Sequence, residues 1–397
     1  MPEGVRPDDR TVLRLWYRFR PMKIRTSFSA AVFPCAFFLA GTGCAAAAPR
    51  LQSPAKAQDA PAMAGPWKFV VAGDSRNCGD VVMPAVAVGA ASAGAAFYWH
   101  LGDFRALYDF DQDLLAARRA AGETRPLAIS DYQKAAWDDF IQSQITPFGA
   151  MPVYLAIGNH ELVQPKSRGE YLAQFADWLN APPIQAQRLR DNPKDHKLRT
   201  YSHWIQNGVD FVTLDNASND QFDSEQVAWL ERVLAKDMSD PSVTAIAAGM
   251  HAALPDSLAF DHSMSDWAQG EQSGRRVYAA LLKAQNAGKK VYVLASHSHF
   301  YMSGIFDSPY WRSHGGVLPG WIIGTSGAIR YALPPGATQA VEAKTNVYGY
   351  VVASADADGA IRFEFKEIKE EDIPAPVVSR FTRELVHDCF VGNIRAQ

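Results

Sequence analysis

The sequence predicts a protein of the α/β class that contains a mixed β-sheet. From Trp67 onward, short apolar segments of strand length alternate with amphipathic stretches of helical length, as is typical of α/β proteins. Near the C-terminus, two apolar segments flank Asp356-Ala357-Asp358-Gly359, a sequence that favours a hairpin turn between antiparallel strands. Antiparallel strands at the end of an alternating chain indicate that the sheet is mixed.

Each predicted strand is a short run of apolar residues. Five runs precede polar groups and three more lie near the C-terminus: 69–72, 97–101, 153–157, 244–248, 291–295, 321–324, 348–353 and 361–367. The amphipathic stretches predict helices at 114–121, 131–145, 168–179, 224–236 and 274–287. In the fourth helix Ser224 suits the N-cap, and Glu225 suits the positive end of the helix dipole.

Composition divides the chain into five segments. Residues 1–21 form an N-terminal extension that an export signal does not need. Residues 22–47 form a signal peptide, with a basic start, an apolar stretch and small residues for cleavage. Residues 48–66 are rich in Ala, Pro and Gln and predict a flexible linker. Residues 67–370 form the main domain, and residues 371–397 a C-terminal tail.

The signal peptide predicts an exported protein, periplasmic or secreted, whose mature chain has no transmembrane segment, because the apolar run is too short to cross a bilayer. Cys44 lies where the acylated cysteine of a lipoprotein would lie, but Gly41 replaces the usual aliphatic residue, so a lipid anchor is the less favoured alternative. Cleavage after Cys44 leaves Cys78 and Cys389. An oxidising compartment favours a disulfide between them, and two separate buried thiols fit the sequence equally well.

The charge of the chain argues against one class of partner. Of 397 residues, 48% are hydrophobic and 20% charged, which suits a globular protein with a large core. The first 43 residues hold seven bases and three acids, which leaves 32 bases against 39 acids in the rest. That remainder has no run rich in Lys or Arg, so a nucleic-acid duplex is not an expected partner.

The residues that can carry chemistry lie in five polar islands, each just after a predicted strand. The islands are Gly73-Asp74-Ser75-Arg76, Gly102-Asp103, Gly158-Asn159-His160-Glu161, His251 and His297-Ser298-His299. Their carboxylate, amide and imidazole groups are ligands of divalent ions, and two such ions about 4 Å apart can hydrolyse phosphate esters. Each island alone also fits a turn, a helix cap or a core histidine. Their order at successive strand ends predicts a metal-dependent hydrolase of small phosphate esters.

In this order the islands resemble the calcineurin-like metallophosphoesterase superfamily, and the resemblance covers roughly residues 67–370. It implies a four-layer αββα sandwich, in which two mixed β-sheets pack face to face with helices on the outside. It also implies a phosphoric ester hydrolase with a centre of two divalent metal ions, for which Mn, Fe and Zn are all suitable. A metal-bound hydroxide would attack phosphorus.

The resemblance also implies a role for each polar residue. Asp103 would bridge the two ions, and the other ligands would be Asn159, His251 and His297 at one ion and Asp74 and His299 at the other. His160 would be catalytic rather than a ligand, because it would donate a proton to the leaving alkoxide. Glu161 would orient His160.

The first island departs from the family pattern. The family usually has Asp-x-His there, whereas this chain has Asp74-Ser75-Arg76. Arginine is permanently cationic and offers no lone pair, so Arg76 cannot replace an imidazole ligand. Either fewer protein groups bind that ion, or another residue takes the place of the imidazole. We favour a catalytic role in which the planar guanidinium of Arg76 binds the substrate phosphate and the adjacent metal site is weaker.

Three alternatives stay open at the level of sequence. Phosphomonoesters and phosphodiesters are equally compatible substrates. A non-catalytic metal- or phosphate-binding protein that retained the fold would explain the missing histidine of the first island. The polar segment 161–209 is either a cap over the site or an inert insertion.

The sequence assigns no catalytic or ligand role to the remaining histidines and aromatic residues. His100 is predicted in the core, His203 and His262 have no partner pattern, and His314 lies in a Gly-rich loop after the last island. A further group of aromatic residues is compatible with either a pocket lining or the core: Tyr108, Trp204, Tyr301 and Trp311.

Overall fold

The computed structural model of the protein describes residues 65–395. The predicted N-terminal extension, the signal peptide, Cys44 and nearly all of the linker lie outside the described residues. Within residues 65–395, no helix is both long enough and apolar enough to cross a membrane.

Twelve strands form the two sheets of the described part of the chain. They are β1 (Trp67–Ala72), β2 (Tyr98–His100), β3 (Val153–Leu155), β4 (Ser202–Gln206), β5 (Val209–Thr213), β6 (Ala245–Gly249), β7 (Lys290–Ala295), β8 (Tyr301–Ser303), β9 (Gly320–Ile323), β10 (Glu342–Lys344), β11 (Tyr348–Ala355) and β12 (Ile361–Ile368). One sheet has the order β12-β11-β1-β2-β3 and the other β10-β8-β9-β7-β6-β5-β4. Both sheets combine parallel and antiparallel pairs, so the predicted mixed sheets are confirmed.

Eleven α-helices accompany these strands within residues 65–395. They are α1 (Gly79–Ala93), α2 (Gln112–Ala120), α3 (Ile129–Phe140), α4 (Arg168–Gln174), α5 (Ala176–Leu179), α6 (Pro182–Asp191), α7 (Ser224–Ser239), α8 (Ala268–Asn286), α9 (Pro309–Ser313), α10 (Ala375–Phe381) and α11 (Arg383–Val391). A π-helical turn at Ile141–Ile145 continues α3. Short 3₁₀ turns include His160–Leu162, directly after Asn159.

Aromatic side chains fill the space between the two sheets. Phe97 and Trp99 of the first sheet meet Phe211 of the second with ring centroids 5.1 and 5.9 Å apart. Tyr154 of the first sheet stacks on Trp204 of the second at 3.9 Å. Burial of large aromatic faces is a strong driving force for folding. This packing holds the sheets face to face, as the resemblance implied.

Several helix boundaries differ from those that the sequence predicted. The helix predicted at 168–179 is interrupted at Phe175, and α8 begins at Ala268, before the predicted 274. The N-cap of α7 is Asp223 rather than Ser224, because the Asp223 carboxylate accepts the Gln226 amide hydrogen at 2.8 Å.

Helix α1 was not predicted from the sequence. Its residues are apolar almost all round, and nine of its 15 residues are buried, so no polar face marks a helical period. The segment between Glu161 and Val209, predicted as a cap or an insertion, contains α4, α5, α6 and β4, and α6 packs on β4, an edge strand of the second sheet. The predicted tail contains α10 and α11, and Cys389 of α11 forms a disulfide with Cys78. The thiol alternative is therefore wrong.

A buried ion cluster at β4 gives the first testable prediction. His203 lies between two carboxylates, with Nδ1 2.8 Å from Asp210 Oδ2 and Nε2 2.5 Å from Asp191 Oδ2. Burial alone lowers the pKa of His203, but the two carboxylates outweigh it and raise the pKa to about 10. Because the folded pKa exceeds the unfolded value, the stabilisation is complete below about pH 6.5 and is lost as pH rises through 10.

The measurement compares wild type with His203→Gln by urea denaturation between about pH 6.5 and 10. We expect the difference in the free energy of unfolding to shrink by about 4 kcal/mol over that interval. Groups that titrate equally in both proteins cancel in this difference. The carboxyl group of Asp237 does not cancel, because burial raises its pKa to about 8 and the charge of His203 lowers it. A difference that stays constant with pH would show that His203 is not a buried cation.

Candidate metal centre

All eight predicted site residues lie together where parallel strands of both sheets end. Asp74 follows β1, Asp103 follows β2, His251 follows β6 and His297 follows β7. Backbone hydrogen bonds join these strand ends: Asp74 N–H donates to Gly102 O at 3.0 Å and Ser296 N–H to His251 O at 2.8 Å. The central parallel strands therefore bring distant islands to one edge.

Two glycines allow the second and third islands to touch. Gly102 has φ +95°, and a Cβ there would lie 2.6 Å from the Gly158 nitrogen. A Cβ on Gly158 would lie 2.3 Å from Asp103 Oδ1. Side chains do not fit at these separations, so glycine is required at both positions. The result is that the third island approaches Asp103, whose Oδ1 accepts the His160 amide hydrogen at 3.0 Å.

Three of the predicted ligands have a left-handed backbone. Asp74 and Asp103 have φ +60° and His297 has φ +66°. Such conformations cost about 1–3 kcal/mol each for residues other than glycine, and they collect at functional sites. Their coincidence at three strand ends indicates that the surrounding structure holds these side chains in set directions.

The first group of candidate ligands contains Asp103, Asn159, His251 and His297. His251 Nε2 lies 2.9 Å from Asn159 Oδ1 and 3.2 Å from Asp103 Oδ1. One candidate ligand atom from each of Asp103, His251 and His297 lies within 4.8 Å of the others. This spacing suits the coordination of one cation by mixed nitrogen and oxygen ligands.

His251 is oriented by the structure around it. Its Nδ1 lies 3.0 Å from Leu101 O, a carbonyl that can only accept a hydrogen bond, so Nε2 faces the oxygens of the centre. Ser296, directly before the last island, lies 3.1 Å from the same Nδ1 and donates to Leu101 O at 2.8 Å. Ser296 therefore reinforces the orientation of His251.

The second group contains Asp74, Asp103 and His299, again with candidate ligand atoms within 4.8 Å of one another. His299 Nε2 lies 3.3 Å from Asp74 Oδ1, while Asp74 Oδ2 accepts the His297 amide hydrogen at 2.7 Å. Asp103 belongs to both groups. The carboxylate that the resemblance placed between two ions thus lies between the two groups.

Arg76 lies inside the second group rather than outside it. Its Nη2 is 3.1 Å from His299 Nε2, and its Nε is 3.8 Å from Asp103 Oδ2. Nη1 donates to the exposed Tyr108 hydroxyl at 3.2 Å. The guanidinium is buried beside the Asp103 carboxylate, and its Nη1 edge faces the exposed Tyr108.

His160 lies at the same edge but is held differently from the prediction. Its Nδ1 donates to Ala106 O at 2.6 Å, and Nε2 is 3.6 Å from Asp103 Oδ2. Glu161 was expected to orient this ring, but its carboxylate instead accepts the backbone N–H groups of Gly158, Asp103 and Phe104 at 2.8–2.9 Å. Glu161 therefore joins the second and third islands.

Electrostatics sets most of the candidate ligands in the form that metals bind. Burial raises the pKa of Asp103, but His160 and His251 outweigh it, so the net pKa lies well below the usual range. Burial lowers the pKa of His297 and His299. Burial also opposes the charged form of His251, but Asp103 outweighs it and raises that pKa to about 10. Ionised carboxylates beside neutral imidazoles are the donor set of a cation site, and at His251 a bound ion would replace the proton.

Buried polar atoms without a hydrogen-bond partner indicate that the residues of the centre fit divalent ions. Four buried atoms of the centre have no hydrogen-bond partner among residues 65–395: Asp74 Oδ1, Asp103 Oδ2, His297 Nδ1 and Arg76 Nε. Buried polar atoms are normally paired, and an unpaired carboxylate oxygen is costly. Cations bound at the two groups would satisfy the two carboxylate oxygens and the His297 nitrogen.

Three residues that the sequence did not assign surround the centre. The His262 ring lies 5.3 Å from the His297 ring, and the Tyr331 ring stacks on His299 at 4.1 Å. Arg395 lies near both, with Nη1 3.4 Å from His262 Nε2 and the guanidinium 5.0 Å from the Tyr331 ring centre. No motif marks these positions, which are far apart in sequence.

The other candidates from the sequence have structural surroundings. His100 is buried and its Nε2 lies 2.9 Å from Ser75 Oγ, and the exposed His314 stacks on Tyr310. Among the aromatic candidates, Tyr108 stands at the centre. The other three are in the core: Trp204, Tyr301 and Trp311.

Comparisons with known proteins agree with this geometry. The model of the calcineurin-like phosphoesterase family matches residues 68–301. No curated protein matches the chain. A purple acid phosphatase from yellow lupin (Lupinus luteus) seeds, PPD1, is similar with a TM-score of 0.53 and 16% identity, over 78% of this chain and 52% of that one. The chain thus spans about half the length of that phosphatase.

A second solved structure, that of PhoD, has a TM-score of 0.48 and 13% identity, over 83% of this chain and 78% of that one. The family match covers more than half of the chain. The chain therefore belongs to the calcineurin-like phosphoesterase family.

Proposed function

We propose, from this family membership, that the chain is an exported hydrolase of small phosphate esters that works with divalent metal ions. The observation that carries the proposal is the convergence of three candidate ligands. Asp103 Oδ1 and Asn159 Oδ1 both lie within 3.2 Å of His251 Nε2. The disulfide between Cys78 and Cys389 supports export, because disulfides persist in oxidising compartments.

Two groups of residues would hold the ions. Asp103, Asn159, His251 and His297 would hold one, and Asp74, Asp103 and His299 surround the place of a second, weaker one. Mn, Fe and Zn all accept these ligands. When bound, divalent ions neutralise charge on phosphoryl oxygens and make water a better nucleophile at neutral pH.

Arg76 would bind the substrate phosphate at the opening of the centre. Its guanidinium carries a permanent positive charge, and its Nη1 edge is directed to the exposed Tyr108. A planar guanidinium can donate two parallel hydrogen bonds to two phosphoryl oxygens. Arg76 would thus orient the phosphate and offset the charge that develops on it.

His160 would supply the proton for the leaving group. Burial, followed by the charge of Arg76, lowers its pKa to about 4, so the imidazole is neutral before substrate arrives. The Nδ1 proton is donated to Ala106 O, which leaves Nε2 facing the centre. A phosphate dianion beside Nε2 raises the pKa of His160, because opposite charges stabilise each other. Nε2 can then take a proton with the incoming substrate and release it to the alkoxide.

This role predicts that His160→Ala lowers kcat by about 10²-fold for an alkyl phosphate, whose leaving group needs a proton. For p-nitrophenyl phosphate the loss should be about 10-fold or less, because p-nitrophenolate leaves without one. Steady-state kinetics on both esters measures the difference. His314→Ala is the matched control, since His314 is exposed and stacks on Tyr310. Equal losses for the two esters would rule out proton donation by His160.

The function itself is tested with purified protein loaded with Mn²⁺ and assayed on p-nitrophenyl phosphate and bis(p-nitrophenyl) phosphate between about pH 5 and 9. Hydrolysis of the first, the second or both separates phosphomonoesterase from phosphodiesterase activity. Binding of metal and phosphate without hydrolysis of either ester would show a non-catalytic binding protein that retained the fold.

A further inference from the structure

The second group of candidate ligands already contains a cation that belongs to the chain. The Arg76 guanidinium lies among Asp74, Asp103 and His299, and its side chain is only 5% exposed. We propose that Arg76 competes with a metal ion for this second group, so that the chain binds one divalent ion tightly and a second at least about tenfold more weakly. The inference rests on the proposed function only for the identity of the ligands.

The competition concerns one atom, Nε2 of His299. His299 Nδ1 lies 2.6 Å from Ile329 O, and a carbonyl can only accept, so Nδ1 carries the proton. Nε2 therefore offers its lone pair, and Arg76 Nη2 donates a hydrogen bond to it at 3.1 Å. A metal ion bound by His299 would need the same lone pair. The guanidinium and the ion cannot both use it.

Charge adds to this competition. Asp103 Oδ2 lies 3.8 Å from Arg76 Nε, so the guanidinium already offsets part of the negative charge that would attract an ion. A divalent ion within about 4 Å of a guanidinium is repelled by it, and burial strengthens the repulsion. A second ion must therefore displace the Arg76 side chain before the second group can hold it.

Displacement is limited because Arg76 is held from two sides. Its side chain donates to Tyr108, and its carbonyl accepts the Cys78 amide hydrogen at 2.9 Å. Cys78 in turn is tied to Cys389. Among the described residues, the guanidinium itself is restrained only by hydrogen bonds to Tyr108 and His299 and by the ion pair with Asp103, so the competition is strong but reversible.

The first group does not have this competitor. The hydrogen bonds and ion pairs of the Arg76 side chain within residues 65–395 are with Tyr108, His299 and Asp103. His251 Nε2 lies 3.2 Å from the other oxygen of Asp103, Oδ1, and 2.9 Å from Asn159 Oδ1. The two groups thus share Asp103 but differ in whether a guanidinium is inserted. This difference predicts unequal affinities for the two ions.

The experiment measures Mn²⁺ binding to full-length, chelator-treated protein by calorimetry and by metal analysis. Wild type should bind one equivalent tightly and a second at least about tenfold more weakly. Arg76→Ala should tighten the second equivalent about tenfold or more, and Arg76→His, which restores the family's imidazole, should bind two. Paired Mn²⁺ ions should give a spin-coupled electron paramagnetic resonance spectrum in Arg76→His but not in wild type.

Arg119→Ala is the matched control, because Arg119 is on the exposed side of α2. An unchanged first equivalent in each variant shows that the fold is intact. Two equivalents of equal affinity in wild type, or a second equivalent that Arg76→Ala weakens, would overturn the inference. If the binding behaves as expected but no protein hydrolyses esters, the proposed function fails and the competition stands.

Discussion

We expect Asp103→Asn to lower kcat/KM for phosphate esters by about 10³-fold or more. Asp103 belongs to both groups of candidate ligands, so no other single residue affects as much of the centre. Its Oδ1 accepts the His160 amide hydrogen at 3.0 Å and lies 3.2 Å from His251 Nε2. Its Oδ2 has no hydrogen-bond partner among the described residues and is the atom best placed for a cation.

The asparagine keeps the shape of the side chain but removes the charge. The loss should therefore appear in metal content as well as in activity, and steady-state kinetics with metal analysis of the same samples measures both. Asp177→Asn is the matched control, because Asp177 lies on the exposed side of α5. Retention of both metal and activity in Asp103→Asn would exclude Asp103 as the shared ligand.

Much of this centre was predictable from the sequence because of the way strands end. Apolar runs such as 69–72 and 153–157 form buried strands, and the polar residue after each run must lie at a sheet edge. When several such strands are parallel, those edges coincide. The order of the islands therefore predicted which residues form the site. The boundaries of α3, α4 and α8 were less predictable, because they depend on tertiary contacts.

The direction of individual side chains was not predictable in the same way. Glu161 is next to His160 in sequence, which suggested that the two side chains pair. The 3₁₀ turn at His160–Leu162 instead directs Glu161 back to the amides of Asp103 and Phe104. Those amides need an acceptor because their strand has ended, and burial makes an unpaired N–H costly.

Contacts between residues that are far apart in sequence were also not predictable. Arg395 reaches His262 and Tyr331 because its amide donates to Arg330 O at 2.9 Å, beside the anchored tail. No local sequence pattern around Arg395 predicts its contacts with His262 and Tyr331. Arg76 was recognisable as a departure from the family pattern, but only the structure places it against His299.

The anchored tail gives the second prediction, which concerns stability. We expect Cys389→Ser to lower the free energy of unfolding by about 4 kcal/mol, since the disulfide joins residues 311 positions apart and restricts a very long loop in the unfolded chain. The tail also has contacts of its own, because Arg330 Nη2 donates to Phe390 O at 2.7 Å and the Tyr348 hydroxyl to Cys389 O at 3.0 Å. These contacts should keep α11 folded in the variant, so the loss is one of stability rather than of structure.

Urea denaturation of wild type, Cys389→Ser, Cys78→Ser and the double variant measures the effect. Each single variant and the double variant should lose the same amount, because all three remove one bond, and reduced wild type should behave like them. A loss below about 1 kcal/mol would show that the hydrogen bonds of the tail hold it in place without the disulfide.

The same variants also separate the effect of the disulfide on stability from its effect on Mn²⁺ binding. Cys78 lies two residues after Arg76, so loss of the disulfide should leave the first Mn²⁺ equivalent unchanged while it loosens the hold on Arg76 and favours the second.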